Sequence, residues 1–441
     1  VSQALFTSTS NMMSNTRPTH SPASLSPHRK LRIIVGGLVG QYPLGGVAWD
    51  YFHYLLALHE LGHEVYYHED TWVWPFDPLK GWPVDSPDYT VNFLRDFFDR
   101  FAPALASNWC YVLLHDQHFG MSRERFAEVA RTADIYLNVS GACFLPDELS
   151  PHCKRVFMDT DPGYNQIVLA TRPAWSENVD RWIAGVRAHD VHLTYAENIH
   201  SPDCAIPKLD FDWRVTRSPV TLSDWKSVRD TPIAAGAPLT TVMSWSYFKG
   251  DLAYEGKSYD AKASEFERFR SLPKRTPLPI KMAVAGDKFD RESIARDGWD
   301  FIPAAPASQT PERYQDFIAK SAGEWSIAKN CYVAPRTGWF SCRTACYLAA
   351  ARPAVVQDTA WTRYIPSGEG VIGFSTMDDC VEALQDLARR PDFHRRRAYD
   401  IAREYLAPDR IIPPMIDAIF ASRQTSESGS SITGMPQTRS P

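Results

Sequence analysis

The sequence predicts an α/β protein of two parallel-sheet domains that face each other across a cleft. Three observations carry this expectation. Short apolar runs alternate with helix-period segments from residue 31, and the alternation restarts at Thr240 after a Pro-rich interval. A length of 441 residues exceeds what one core accommodates, while 44% hydrophobic and 22% charged residues supply enough material for buried sheets. Many of the apolar runs end in polar residues, which an open parallel sheet gathers along one crevice.

The first unit opens with the buried-strand pattern Leu31 to Val35, a Gly-rich loop from Gly36 to Gly46, and an apolar-periodic helix over Ala48 to Leu61. Gly62 suits the helix stop, and Glu64 to His68 begins the next strand. Further strands are expected at Tyr111 to Leu114, Ile135 to Val139, Arg155 to Met158 and Val191 to Tyr195. Helices are expected at Tyr89 to Phe101, Arg123 to Arg131 and Ser176 to Val186. The polar strand ends are His115-Asp116, Asn138, Asp159-Thr160-Asp161 and Glu197-Asn198.

Pro202 to Pro238 has frequent prolines and no sustained periodicity, so the junction falls there: a first domain over 31–215, a linker over 216–238 and a second domain over 239–421. In the second domain, Thr240 to Met243 is a strand followed by Ser244-Trp245-Ser246, and Ile280 to Val284 is the next. A helix at Tyr314 to Ser321 leads to a strand at Tyr332-Val333, a Thr-Gly turn, a helix of small and apolar residues, and a buried strand at Pro353 to Val356 ending in Gln357-Asp358. Helices at Met377 to Arg389, His394 to Tyr405 and Ile411 to Ala421 close the domain.

The strongest chemical signal is Val333 to Trp361. A Gly-led helix start presents unpaired N–H groups and the positive end of a helix dipole, which suits a phosphate. Arg336, Gly338, Ser341 and Arg343 are clustered there, and two guanidiniums beside a helix start suit a pyrophosphate. The bland alternative is a pair of surface arginines capping a buried helix. Asp159 and Asp161 stand two residues apart at a strand end and offer a base or hydroxyl-binding pair, against a Pro-Gly turn organised by Asp161. His115 is a further candidate base. The Gly36–Gly46 loop does not satisfy G-x-G-x-x-G and reads as a loop lining a cleft.

With these residues in view, the chain resembles the GT-B-fold glycosyltransferases, whose architecture is two Rossmann-like domains. The resemblance rests on Gly338-Trp339-Phe340-Ser341, on Leu348 to Val356 (LAAARPAVV), on Gln357-Asp358, and on Gly45-Gly46 with His59 to Val65 (HELGHEV). It implies transfer of a sugar from a nucleotide-activated donor to an acceptor of unknown identity, with no metal and no cofactor. It implies a donor site of Ser244, Trp245, Ser246, Arg336, Gly338, Trp339, Phe340, Ser341, Arg343, Gln357 and Asp358 on the second domain. Gly45 and Gly46 would belong to an acceptor-side loop, and Asp159, Asp161 or His115 would supply the base. The retaining branch's E-x7-E pair would put glutamates at Gly338 and Cys346, and the inverting branch's histidine would follow the first strand; this chain has neither, His53 being the first candidate. Retention or inversion is therefore open. A GT-B-fold sugar-nucleotide epimerase and a non-catalytic nucleotide-sugar-binding subunit are the alternatives.

Bulk properties exclude other classes. A net charge of −5 argues against a general nucleic-acid binder, and no apolar run approaches a membrane span. The eight cysteines contain no C-x-x-C pair and are too sparse for a disulfide framework, which points to the cytoplasm. Residues 1–30 and 422–441 are low-complexity and are expected to be disordered tails. Nothing in the sequence sets the oligomeric state.

Overall fold

A computed structural model describes residues 29–174, 178–245, 252–286 and 289–421. The expected tails fall, apart from residues 29 and 30, outside the described residues. From Leu31 onward the chain forms one compact unit containing two sheets.

The first sheet is built from β1 (Arg32–Gly36), β2 (Glu64–Glu69), β5 (Trp109–Leu113), β6 (Gln117–Gly120), β7 (Ile135–Val139), β8 (Lys154–Asp159), β9 (Val191–Thr194) and β10 (Trp213–Val215), with a small hairpin β3 (Phe76–Asp77) and β4 (Trp82–Pro83) outside it. Its order is β10-β9-β8-β7-β1-β2-β5-β6, parallel throughout except that β6 runs antiparallel to β5. The central strand β1 has Ile33, Ile34 and Val35 buried, as a strand covered on both faces requires. The chain leaves β1 towards β2 on one side and returns to β7 on the other. This reversal is a switch point, where the strand ends open a crevice.

The second sheet contains β11 (Leu239–Ser244), β14 (Ile280–Ala285), β15 (Asp300–Pro303), β16 (Gly323–Ser326), β17 (Ala354–Gln357) and β18 (Val371–Phe374), and a hairpin of β12 (Leu252–Tyr254) and β13 (Lys257–Tyr259) lies beside it. Its order is β15-β14-β11-β16-β17-β18, all parallel, with the reversal between β11 and β16. The strand-free segment between the sheets carries a short helix, Lys226–Asp230.

One strand was misplaced by sequence. Tyr332-Val333 belongs to a short helix, Asn330–Val333, and the strand is Gly323–Ser326. Its sequence, GEWS, shows no apolar run, yet all four residues are buried. Glu324 is tolerated there because the Arg343 Nε donates to its Oε1 at 2.7 Å. Strands β6, β10, β15 and β18 were also unanticipated. Of the expected helix over 176–186, residues 176 and 177 lie outside the described residues, and the helix runs Val179–Arg187.

The two halves share a seam. Trp49 Nε1 donates to the Pro311 carbonyl at 3.2 Å, Asn198 N to the Thr337 carbonyl at 3.0 Å, and Ala205 N to the Pro335 carbonyl at 2.9 Å. The last helix, Pro408–Phe420, returns to the first half, where Arg214 donates to the carbonyls of Ala418 and Ala421. Fully buried Arg352 ties the segment between the sheets to the second half through the carbonyls of Val228, Thr231 and Ala319.

Candidate functional site

The two switch points face each other and enclose a cavity of about 620 Å³. One wall comes from the first half: Gly46, Val47 and Asp50 on the Gly45–Glu60 helix, Thr160 and Asp161 beyond β8, Tyr195 beyond β9, and Phe76, Pro78 and Gly81 of the β3–β4 hairpin. The opposite wall comes from the second half: Ser244 ending β11, Ala285 ending β14, Ile327 to Lys329 beyond β16, Lys262, and the start of the Cys342–Ala349 helix.

That helix begins at N-cap Ser341, whose side chain caps no N–H group. First-turn N–H groups have no intrahelical acceptor, so the start is an anion-binding element opening on the cavity. Three basic side chains line the same cavity. Arg343 is anchored by Glu324 and by the Val242 carbonyl at 2.9 Å. Burial opposes its charge, but Glu324 beside it leaves the guanidinium pKa above the ordinary value. Lys329 Nζ donates to Asp161 Oδ2 at 2.6 Å, across the seam. Lys262 has no carboxylate within ion-pair distance among the described residues. Burial pushes its ammonium well below the ordinary lysine range, the positive charges of Arg343 and Lys329 push the same way, and the Asp161 and Glu324 carboxylates oppose the shift only in part. A buried amine that its surroundings hold towards the neutral form takes up a proton readily when an anion is placed beside it.

The sequence-derived residues divide clearly. Gly46, Asp161, Ser244, Trp339, Ser341 and Arg343 line the cavity. Trp339 donates its Nε1 to the Thr160 carbonyl at 3.2 Å and packs on Tyr332, so the aromatic closes the floor between the halves. Ser246 lies outside the described residues. The remaining residues are used elsewhere. Asp159 is fully buried and accepts from Asn165 Nδ2 at 2.7 Å, Gln166 Nε2 at 2.6 Å and Thr194 Oγ1 at 2.7 Å. Burial raises its pKa to about 6, with these donors opposing the rise. It organises the turn that presents Asp161, accepting from the Asp161 N–H at 3.1 Å, and does not line the cavity.

His115 lies in a separate small pocket with Asp70, where its Nδ1 bonds the Asp70 carboxylate and its ring stacks on Trp72 at 5.3 Å. Trp245 is buried against Phe266 and Phe289, and Phe340 against Trp361, so both are core residues. Gln357 accepts from Ala328 N at 3.1 Å and donates to Glu265, which fixes the segment beyond β16 from behind. Asp358 accepts from Ala360 N at 2.9 Å and turns its own loop.

Arg336 faces away from the cavity and pairs with Asp203 at 2.8 Å, as does Arg363 at 2.7 Å. Gly338 has φ +83°, and a Cβ there would stand 2.5 Å from Asn198 N. Gly45 is similar: its Cβ would meet the Thr310 carbonyl oxygen at 2.2 Å. At both positions the missing Cβ leaves room for the backbone of the other half.

The sequence reading missed Asp50, Lys262, Lys329, Tyr195, Tyr314 and Tyr332, all of which line the cavity. None stands in a motif. The one available signal was periodicity, because Asp50 follows Gly46 by four residues and shares its helix face. No group of three or more His, Cys, Asp or Glu side chains suited to a metal occurs among the described residues.

Comparison with known proteins gives fold and little sequence. No protein-family model matches the chain, and no curated protein is significantly similar to it. Among solved structures, an alpha-glucosyltransferase in complex with UDP and a 13-mer DNA containing an A:G mismatch is 11% identical, with 88% of this chain and 99% of that chain covered at a TM-score of 0.53. The same enzyme description with UDP and a DNA containing a HMU base is 12% identical, with coverage of 89% and 100% and a TM-score of 0.51. The architecture is therefore the GT-B fold expected from sequence: two Rossmann-like sheets facing across a cleft.

Proposed function

We propose that this protein is a glycosyltransferase that moves a sugar from a nucleoside-diphosphate donor, UDP-linked in the first instance, to an acceptor nucleophile. The observation that carries the reading is that Lys262, Lys329 and Arg343 line the cavity onto which the uncapped start of the Cys342–Ala349 helix opens. A diphosphate leaving group needs this kind of fixed positive environment as charge develops on it. The protein structures of the same fold hold UDP, which supports the base moiety of the donor.

On this reading the diphosphate lies against the helix start, and Lys262, held towards its neutral form in the free protein, is protonated beside it. The opposite wall, from Gly46 to Asp50 and from Thr160 to Tyr195, receives the acceptor. The cleft positions both substrates, and the cations of the second half take the place that a divalent ion fills in other transferases. Activity is accordingly metal-independent and survives chelation by EDTA. All eight cysteines are free thiols and no helix among the described residues is long and apolar enough to cross a membrane, which supports a reducing, cytoplasmic setting.

The test is incubation with a panel of nucleotide sugars, with and without p-nitrophenyl glycosides as acceptors. Nucleoside diphosphate released together with a new glycoside is the expected outcome. An isomerised donor would replace the reading with epimerisation, and saturable binding without turnover would replace it with a sensor.

A further inference from the structure

We propose that Asp50 is the catalytic base of this site: it takes the proton of the acceptor hydroxyl, and transfer proceeds with inversion at the anomeric carbon. The proposal rests on the glycosyltransferase reading above and names the group that reading lacks.

Two carboxylates line the cavity, Asp50 and Asp161. Asp161 is spent, since its two oxygens are bonded to the Lys329 ammonium and the Tyr332 hydroxyl. The other sequence candidates are excluded by position, Asp159 by its three side-chain donors and His115 by its separate pocket. Asp50 alone combines a place on the cavity wall with an idle oxygen: Oδ1 is buried and has no hydrogen-bond partner among the described residues. A buried carboxylate oxygen without a donor is costly to hold, and a site retains one where a ligand supplies the missing proton.

The surroundings suit a base. The groups facing Asp50 are Tyr54 on its own helix, Tyr195 beyond β9, and the thiols of Cys342 and Cys346 on the opposing helix. Burial raises the pKa of all four well above the ordinary values, so all are neutral near pH 7. No cation pairs with Asp50 among the described residues. Burial raises its own pKa to about 6, with a hydrogen bond to the Cys342 side chain opposing the rise. A carboxylate of that basicity is mostly ionised at neutral pH and strong enough to share an alcohol proton in a transition state.

Asp50 belongs to the first-half wall, whereas Lys262, Lys329 and Arg343 belong to the second-half wall. In the step, the acceptor O–H bond breaks and its proton passes to an Asp50 oxygen. The acceptor oxygen forms a bond to the anomeric carbon, and the bond from that carbon to the diphosphate oxygen breaks. The electron pair leaves on the nucleoside diphosphate, against the cations. A single displacement of this kind, with no enzyme nucleophile intervening, inverts the configuration.

The test uses the full chain with a donor found active in the panel, p-nitrophenyl glycosides and water as acceptors, and the variants Asp50→Asn and Asp50→Glu. Asp50→Asn should lower kcat by about 100- to 10,000-fold, the range for loss of a general base, while UDP affinity, read by calorimetry, stays at the wild-type value. Asp50→Glu should recover part of the rate. Wild-type kcat should fall about tenfold per pH unit below about 6, where the carboxylate is protonated, and the residual rate of Asp50→Asn should lack that limb. NMR of the new glycoside should show the anomer opposite to the donor's. Unaltered turnover in a UDP-binding Asp50→Asn protein overturns the assignment, as does a product of retained configuration. A wild-type protein that binds UDP but transfers nothing overturns the transferase reading itself, and Asp50 with it.

Discussion

Replacing Lys262 with Met should weaken UDP binding and, in the absence of UDP, stabilise the protein. The side chain keeps its length and its apolar stem, so packing is conserved while the charge is removed. In the free protein burial, Arg343 and Lys329 disfavour the ammonium, Asp161 and Glu324 offset them only in part, and Lys262 forms no ion pair among the described residues, so folding works against its charged form. A diphosphate against the helix start supplies the counterion. A hydrogen bond to a charged group is worth about 1.5–3 kcal/mol, which at about 1.4 kcal/mol per tenfold is a loss of roughly 10- to 100-fold in Kd.

The pH dependence has a fixed sign. The folded pKa of Lys262 lies below its unfolded value, so the unfolded chain binds more protons between the two, and wild-type stability rises with pH through that window. Lys262→Met should lack this rise. Calorimetric titration with UDP gives the affinity, and thermal melting across pH gives the stability. A variant with wild-type affinity, or one that melts lower without UDP, would refute the placement of the anion at Lys262.

Two further substitutions separate the seam from the site. Arg336→Ala, which a phosphate-binding role would cripple, should leave UDP affinity unchanged by calorimetry, because the guanidinium points away from the cavity onto Asp203. A tenfold weaker titration would return Arg336 to the donor site. Gly338→Ala should lower the melting temperature, since its φ of +83° is unfavourable for alanine and the new Cβ would stand 2.5 Å from Asn198 N. If the melting temperature holds while UDP binding is lost, Gly338 cradles the ligand after all.

The fold was legible in the sequence where burial is written in apolar residues. Strands β1, β7 and β17 announce themselves as short Val, Ile and Leu runs, and the order strand, helix, strand fixes a parallel sheet. Strand β16 was hidden because its burial depends on a charge pair: Glu324 reads as exposed until Arg343, nineteen residues on, is known to reach it. Edge strands such as β6, whose four residues are all partly or fully exposed, carry no apolar run at all.

The site was legible in its location and not in its chemistry. The segment from Ser341 to Arg343 was found because a helix start follows from local residues alone. The glycines and Arg336 around it carry the same local signature, but what they meet is the other half of the chain: Gly338 meets Asn198, Gly45 meets Thr310, and Arg336 meets Asp203. A glycine required by a neighbouring backbone cannot be told from one required by a phosphate until that neighbour is placed.

Charge balance argues for the same division. Around the helix start, Glu324 is matched by Arg343 and Asp161 by Lys329, each pair made between residues distant in sequence. Lys262 is left without an ion pair among the described residues, which shows only once both pairs are counted. Across the cavity the unmet group is of the other kind, an Asp50 oxygen with no donor. A diphosphate satisfies the first and an acceptor hydroxyl the second. The two unmet demands stand on opposite walls, and on the proposed reading the sugar passes between them.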